Sequence, residues 1–138
     1  MENELGKQQL TNRHITEWVA EQAALCQPDR IFWCDGSVAE KDALTRAAVE
    51  AGILLPLNPQ KLPGCYLHRS NPNDVARVEQ CTFICTPTRD EAGPTNNWQA
   101  PREMYARLRT MCDGAMRGRT MYVVPYLMGP PGSPLSKV

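Results

Sequence analysis

The 138-residue sequence alternates helix-like and strand-like segments, which predicts an α/β fold: a single domain with a mixed β-sheet flanked by helices. Three observations carry this. Ile15, Trp18, Val19, Gln22, Leu25 and Cys26 recur at helical spacing on one face. Arg30–Cys34 (RIFWC) is aromatic and β-branched, and Asp35-Gly36 turns it directly into a second helical pattern. No internal repeat, low-complexity tract or domain boundary interrupts the chain, so 1–10 reads as a polar tail and 11–138 as one domain.

In chain order, Thr11 or Asn12 caps the first helix and Pro28 follows its end. After the RIFWC strand, Ser37 and Glu40 form a capping-box pattern, and Ala43, Leu44, Ala47, Ala48 and Ala51 line one face as far as Gly52. Ile53–Leu57 (ILLPL) contains Pro56 and is confined to an edge or extended segment. Cys65–His68 and Thr82–Thr86 read as further extended segments, separated by the turn formers Ser70–Asp74 (SNPND). Thr86–Trp98 reads as a long loop of little helical or strand character, a type often tied to function. Pro101 suits the first turn of a helix whose Met104, Tyr105, Leu108, Met111 and Cys112 are expected to face inward. Thr120–Pro125 (TMYVVP) is expected to be a buried strand, followed by the Gly/Pro-rich Gly129–Lys137.

Composition narrows the function. Fifteen basic and fifteen acidic residues balance, so nothing favours nucleic acid or an anionic membrane surface as partner. The first 69 residues carry 7 Lys/Arg against 9 Asp/Glu and the rest 8 against 6, so an anionic small molecule would sit in the second half. The opening MENELGKQQL lacks a signal peptide's basic and apolar regions, and Thr120–Ser136 carries too many prolines to span a bilayer. A cytoplasmic protein is expected, with its six cysteines as reduced thiols. The pairs Cys65/His68 and Cys81/Cys85 mimic zinc spacing, but Cys81 and Cys85 would lie too far apart along a strand to clamp one ion, so no metal site is assigned.

Arg77 is the strongest candidate for chemistry. It lies in Asp74–Glu79 (DVARVE), between a turn and a strand, and its planar fork of donors matches a carboxylate or phosphate in two parallel hydrogen bonds. Spacing alone equally allows a surface ion pair with Asp74 or Glu79. Arg117 and Arg119 flank Gly118 at one end of the last strand and Lys137 lies beyond its other end, so their convergence with Arg77 on one anion is doubtful. Arg117 is expected to serve a helix C-terminus and Arg119 to anchor a loop. Gly129–Lys137 fails the spacing of a phosphate-binding loop, and its prolines remove backbone donors. Trp98 is expected to anchor the long loop while Asn96 and Asn97 satisfy its backbone.

The segments DVARVE, TFIC, AGPTNNW and MRGRTMYVVP…MGPPGSPLSK, in this order, closely resemble the N-terminal domain of GTP-dependent phosphoenolpyruvate carboxykinase. The resemblance runs from about Trp18 to the last residue, with departures at Cys65, Gln80-Cys81 and Tyr126-Leu127. It implies a fragment of a lyase of gluconeogenesis, a decarboxylase that converts oxaloacetate and GTP to phosphoenolpyruvate, GDP and CO2. It further implies that Arg77 binds the carboxylate of oxaloacetate or phosphoenolpyruvate. The domain is then expected to be truncated at its C-terminal end. The family's GTP loop, manganese (or magnesium) ligands, reactive cysteine and lid belong to a downstream catalytic domain, so no catalytic or cofactor-binding residue is assigned here, and the isolated chain is expected to be inactive. The alternative is a free-standing, non-enzymatic module that binds small carboxylates or pairs with a separately encoded catalytic part. Uncovered apolar surface, and with it self-association, is expected of such a piece.

Overall fold

The computed structural model describes residues 5–7, 10–74 and 78–136. Helix α1 spans Arg13–Cys26, strand β1 Arg30–Trp33, helix α2 Val38–Glu50, strands β2 Leu55–Pro56 and β3 Tyr66–Leu67. Strands β4 (Phe83–Ile84) and β5 (Asn97–Trp98), helix α3 (Pro101–Cys112) and strand β6 (Thr120–Val123) complete the order. The mixed α/β class holds. Among the described residues the strands pair two by two, β1 with β6 and β4 with β5 in parallel and β2 with β3 antiparallel, so three short ladders stand where the sequence suggested one sheet. Pro56 is accommodated because β2 is an edge strand, as its missing donor requires.

The centre is the β1–β6 pair, in register Arg30↔Thr120 through Trp33↔Val123. Phe32 and Trp33 are buried there with Val19 of α1, and the Phe32 and Tyr122 rings lie 5.4 Å apart as register partners on one face. On its other edge β1 meets the segment read as tail: Trp33 N–H donates to Gly6 O at 2.9 Å. Gly6 has φ 77°, and a Cβ there would fall inside the Phe32 ring, so only glycine fits this approach.

The helix ends follow their signals. Asn12 Oδ1 caps α1 by accepting from His14 and Ile15 N–H, and Pro101 occupies the first turn of α3. Ser37 Oγ caps α2 by accepting Glu40 N–H at 3.1 Å. Glu40, 5% exposed, does not reach back to Ser37 N–H as a capping box would, because Asp35 Oδ1 already accepts that proton at 2.7 Å. Its carboxylate instead accepts from Asp35 N–H (2.7 Å) and Gly36 N–H (3.3 Å), which fixes the β1–α2 turn.

Four expectations are corrected. No residue of α3 is buried, and Tyr105 is 70% exposed, because the described residues cover only part of the stripe that Met104, Leu108 and Met111 share. Strand β6 is only half-buried, since one strand neighbours it and one of its faces is partly covered. Trp18, read as part of the inward face of α1, is 60% exposed; Val19 is the residue of that helix that is buried. The long loop also holds more structure than expected, with a single 3-10 turn at Asp90–Ala92 and strand β5. The chain exposes 11594 Å², whereas a compact protein of 15.4 kDa exposes about 7,200 Å².

Two outcomes test the β1–α2 turn. Glu40→Ala strands two backbone donors in a half-buried turn, and urea unfolding should show a loss of about 2 kcal/mol. The Asp35 carboxyl is held below the usual carboxylate range, first by the backbone N–H of Ser37 and then by its side chain. A depressed folded-state pKa stabilises above the unfolded value and is lost as pH falls through the folded one. Urea midpoints should therefore fall on acidification below about pH 4, with a shallower fall in Asp35→Asn; an identical slope in both would contradict the turn geometry.

Candidate functional site

Arg77 lies outside the described residues, as do its neighbours at 75 and 76. The chain on either side of them is well defined. Upstream, Asn71 closes a turn, with Asn71 Oδ1 accepting Asn73 N–H at 2.9 Å and Asn71 O accepting Asp74 N–H at 2.8 Å. Downstream, Val78 leads into a 3-10 turn at Glu79–Cys81 and then into β4.

This downstream side is pinned by the asparagine-tryptophan loop. Asn97 Nδ2 donates to Glu79 O (2.8 Å) and Thr82 O (3.2 Å), so one amide bridges both ends of the 3-10 turn. Asn96 Nδ2 donates to Ala92 O at 2.7 Å, and Trp98 Nε1 donates to Thr86 O at 3.0 Å. Asn96 and Trp98 take the ordinary roles expected of them, satisfying and tying down the loop, whereas Asn97 serves backbone outside the loop. The reach of Asn97 across to the segment after Arg77 was not legible, because it depends on the parallel register Phe83↔Asn97.

Glu79, Thr82, Thr95, Asn96 and Asn97 line a cavity of about 450 Å³. Its lining is polar and its one ionic side chain among these is Glu79, so without a nearby cation it would repel an anion. The other natural anion position, the start of α2, is already taken: the Glu40 carboxylate fills the amide nest at Asp35 and Gly36. The same carboxylate, after burial itself, raises the Cys34 thiol above its ordinary pKa, which keeps that sulfur protonated and unreactive at neutral pH.

The two arginines that flank Gly118 are placed as follows. Arg117 donates through Nε (2.9 Å) and Nη2 (2.7 Å) to Gln27 Oε1 at the C-terminal end of α1. The Arg119 carbonyl accepts Asp29 N–H at 3.0 Å, anchoring the turn into β6. Lys137 lies outside the described residues. The Gly/Pro stretch closes on itself, with Ser136 Oγ donating to Pro130 O and Ser133 N–H to the same carbonyl. Among the described residues, no three His, Cys, Asp or Glu side chains gather as a metal cage, and His68 Nδ1 is engaged by Ile53 O at 2.9 Å. The six cysteines are free thiols, and no described helix is long and apolar enough to cross a membrane.

Fold and site together define a small mixed α/β domain that clamps the turn at Glu79–Thr82 against an asparagine loop while leaving much of its own apolar surface uncovered. Comparison with known proteins gives the particular family. Residues 17–138 match the family described as phosphoenolpyruvate carboxykinase N-terminal domain, and the chain belongs to that family. It is 62% identical over 128 residues to the phosphoenolpyruvate carboxykinase [GTP] of Anaeromyxobacter dehalogenans strain 2CP-C, covering 93% of this chain and 22% of that protein. The proteins of that name from Chlamydia trachomatis serovar D and Neocallimastix frontalis are each 50% identical over 129 residues, 94% of this chain and 22% and 21% of theirs. The chain thus spans about a fifth of the length of these curated relatives and corresponds to their N-terminal part.

Asn97→Ala releases both ends of the 3-10 turn at once. It should lower stability by about 1–2 kcal/mol. Hydrogen exchange should speed up at Glu79–Thr82 while β1 and β6 keep their protection; unchanged exchange at Glu79–Thr82 would show that the amide is not the clamp.

Proposed function

We propose that this chain is the substrate-anchoring N-terminal part of a cytoplasmic GTP-dependent phosphoenolpyruvate carboxykinase, which converts oxaloacetate and GTP to phosphoenolpyruvate, GDP and CO2. The observation that carries the reading is the family match across 17–138, reinforced by relatives of that name at 62% and 50% identity. Arg77 is the residue assigned to the substrate. It stands two positions before Glu79 in the sequence, and a guanidinium takes a carboxylate in paired, charge-assisted hydrogen bonds. Asn97 holds the turn at Glu79–Thr82 that follows Arg77 in the sequence, and a substrate-orienting side chain profits from a fixed neighbouring backbone.

The remaining chemistry is assigned to the rest of such an enzyme. Loss of CO2 from oxaloacetate leaves an enolate, whose oxygen takes the γ-phosphoryl of GTP, and the charge that develops needs metal ions and positioned donors. The described residues fit neither group: they form no three-ligand cluster, and Gly129–Ser136 has neither the spacing nor the backbone donors of a nucleotide loop. We assign GTP and manganese or magnesium to the part of the family polypeptide that this chain does not span.

Calorimetry tests the anchoring role. Oxaloacetate or phosphoenolpyruvate should bind the chain weakly, and Arg77→Ala should weaken that binding at least about tenfold, with Arg77→Lys falling between because it keeps charge without the fork. Equal heats from wild type and Arg77→Ala would remove the assignment. The 138-residue chain alone should show no GTP-dependent decarboxylation, and manganese-dependent turnover by it would contradict the division of labour.

A further inference from the structure

We infer that residues 5–7 are a clasp built into the fold, a short piece of the chain's own N-terminal segment that locks onto β1 and makes it a central strand. Two successive amides carry this. Trp33 N–H donates to Gly6 O at 2.9 Å and Cys34 N–H donates to Val123 O at 2.9 Å, so the end of β1 is hydrogen-bonded along both of its edges. The bridge of Gly6 to Trp33 is antiparallel, whereas β6 pairs with β1 in parallel. This edge of β1 is thus closed by the chain itself, and its donor is satisfied without help from any other polypeptide.

Side chains key the clasp in place. Gly6 holds φ 77°, a left-handed conformation that disfavours any L side chain, and the Cβ of such a side chain would fall inside the Phe32 ring. That ring cannot swing clear into solvent, because it is buried and packed against Tyr122 of β6. The fit therefore needs a residue without a side chain, and the opening MENELGKQQL supplies its glycine at that position. One residue earlier, Leu5 forms a wall of a cavity of about 370 Å³ whose other walls include Phe32 and Tyr122 of the strand pair and Leu44 and Ala47 of α2. The clasp accordingly touches both layers of the fold, strand pair and helix. It stands ahead of 17–138, the stretch that matches the family, so it is a contact that the family match does not describe.

Residue-resolved hydrogen exchange by NMR on the 138-residue chain tests the clasp, because the two neighbouring amides report opposite edges of β1. The Trp33 amide should be protected in the wild type. Gly6→Ala should speed its exchange at least about tenfold, while the Cys34 amide, held by β6, keeps its rate. Deletion of residues 1–9 removes the acceptor without adding a clash and should act in the same way; it carries the test if circular dichroism shows Gly6→Ala to be unfolded. A wild-type Trp33 amide that exchanges as fast as a free peptide, or one whose rate neither change alters, would overturn the inference. So would equal acceleration at Trp33 and Cys34 in a folded variant, which would mean general loosening in place of the release of one edge.

Discussion

The parallel pairing of Arg30–Trp33 with Thr120–Val123 is the constraint on which the rest of the structure depends. It joins segments ninety residues apart in sequence, a loop closure whose entropy cost the local contacts around it must offset. Those contacts cluster at one end. Asp29 Oδ1 accepts Gly118 N–H, Gln27 holds Arg117, and the carbonyls of Leu25 and Cys26 accept Gly114 and Met116 N–H. These bonds set the end of α1 beside the end of α3 and fix the two helices side by side, an arrangement to which the exposed Glu21–Arg109 ion pair adds little. At the other end of β1, Glu40 consumes the amide groups that would otherwise make an anion site.

Local signals were legible wherever the chemistry was local. Asn12, Ser37 and Pro101 marked helix starts because a cap or a missing donor acts within three residues of itself. RIFWC and TMYVV showed as strands through β-branched and aromatic content, and their pairing agrees with the α/β class. The reach of Asn97 to Glu79 was not legible, since side-chain amides carry no mark of which distant carbonyl they meet. The burial of α3 and β6 was misjudged for a related reason: periodicity shows that a face is apolar but not whether this chain supplies the cover. Arg77 drew its role from motif resemblance, because a surface ion pair and a substrate anchor look alike in spacing.

One description accounts for both the identity and the uncovered surface. A domain that corresponds to a fifth of its relatives' length carries faces shaped for neighbours, and Trp18, Tyr105 and Met111 stand exposed where they contribute little to the fold of this chain.

The central claim is that residues 17–138 perform the N-terminal role of a GTP-dependent carboxykinase through Arg77. The most direct measurement replaces the matching N-terminal stretch of the Anaeromyxobacter dehalogenans enzyme with residues 17–138 of this chain and assays GTP-dependent conversion of oxaloacetate to phosphoenolpyruvate. The account predicts an active chimera that loses turnover on Arg77→Ala. A folded chimera without activity, or one whose activity ignores the loss of Arg77, would contradict it.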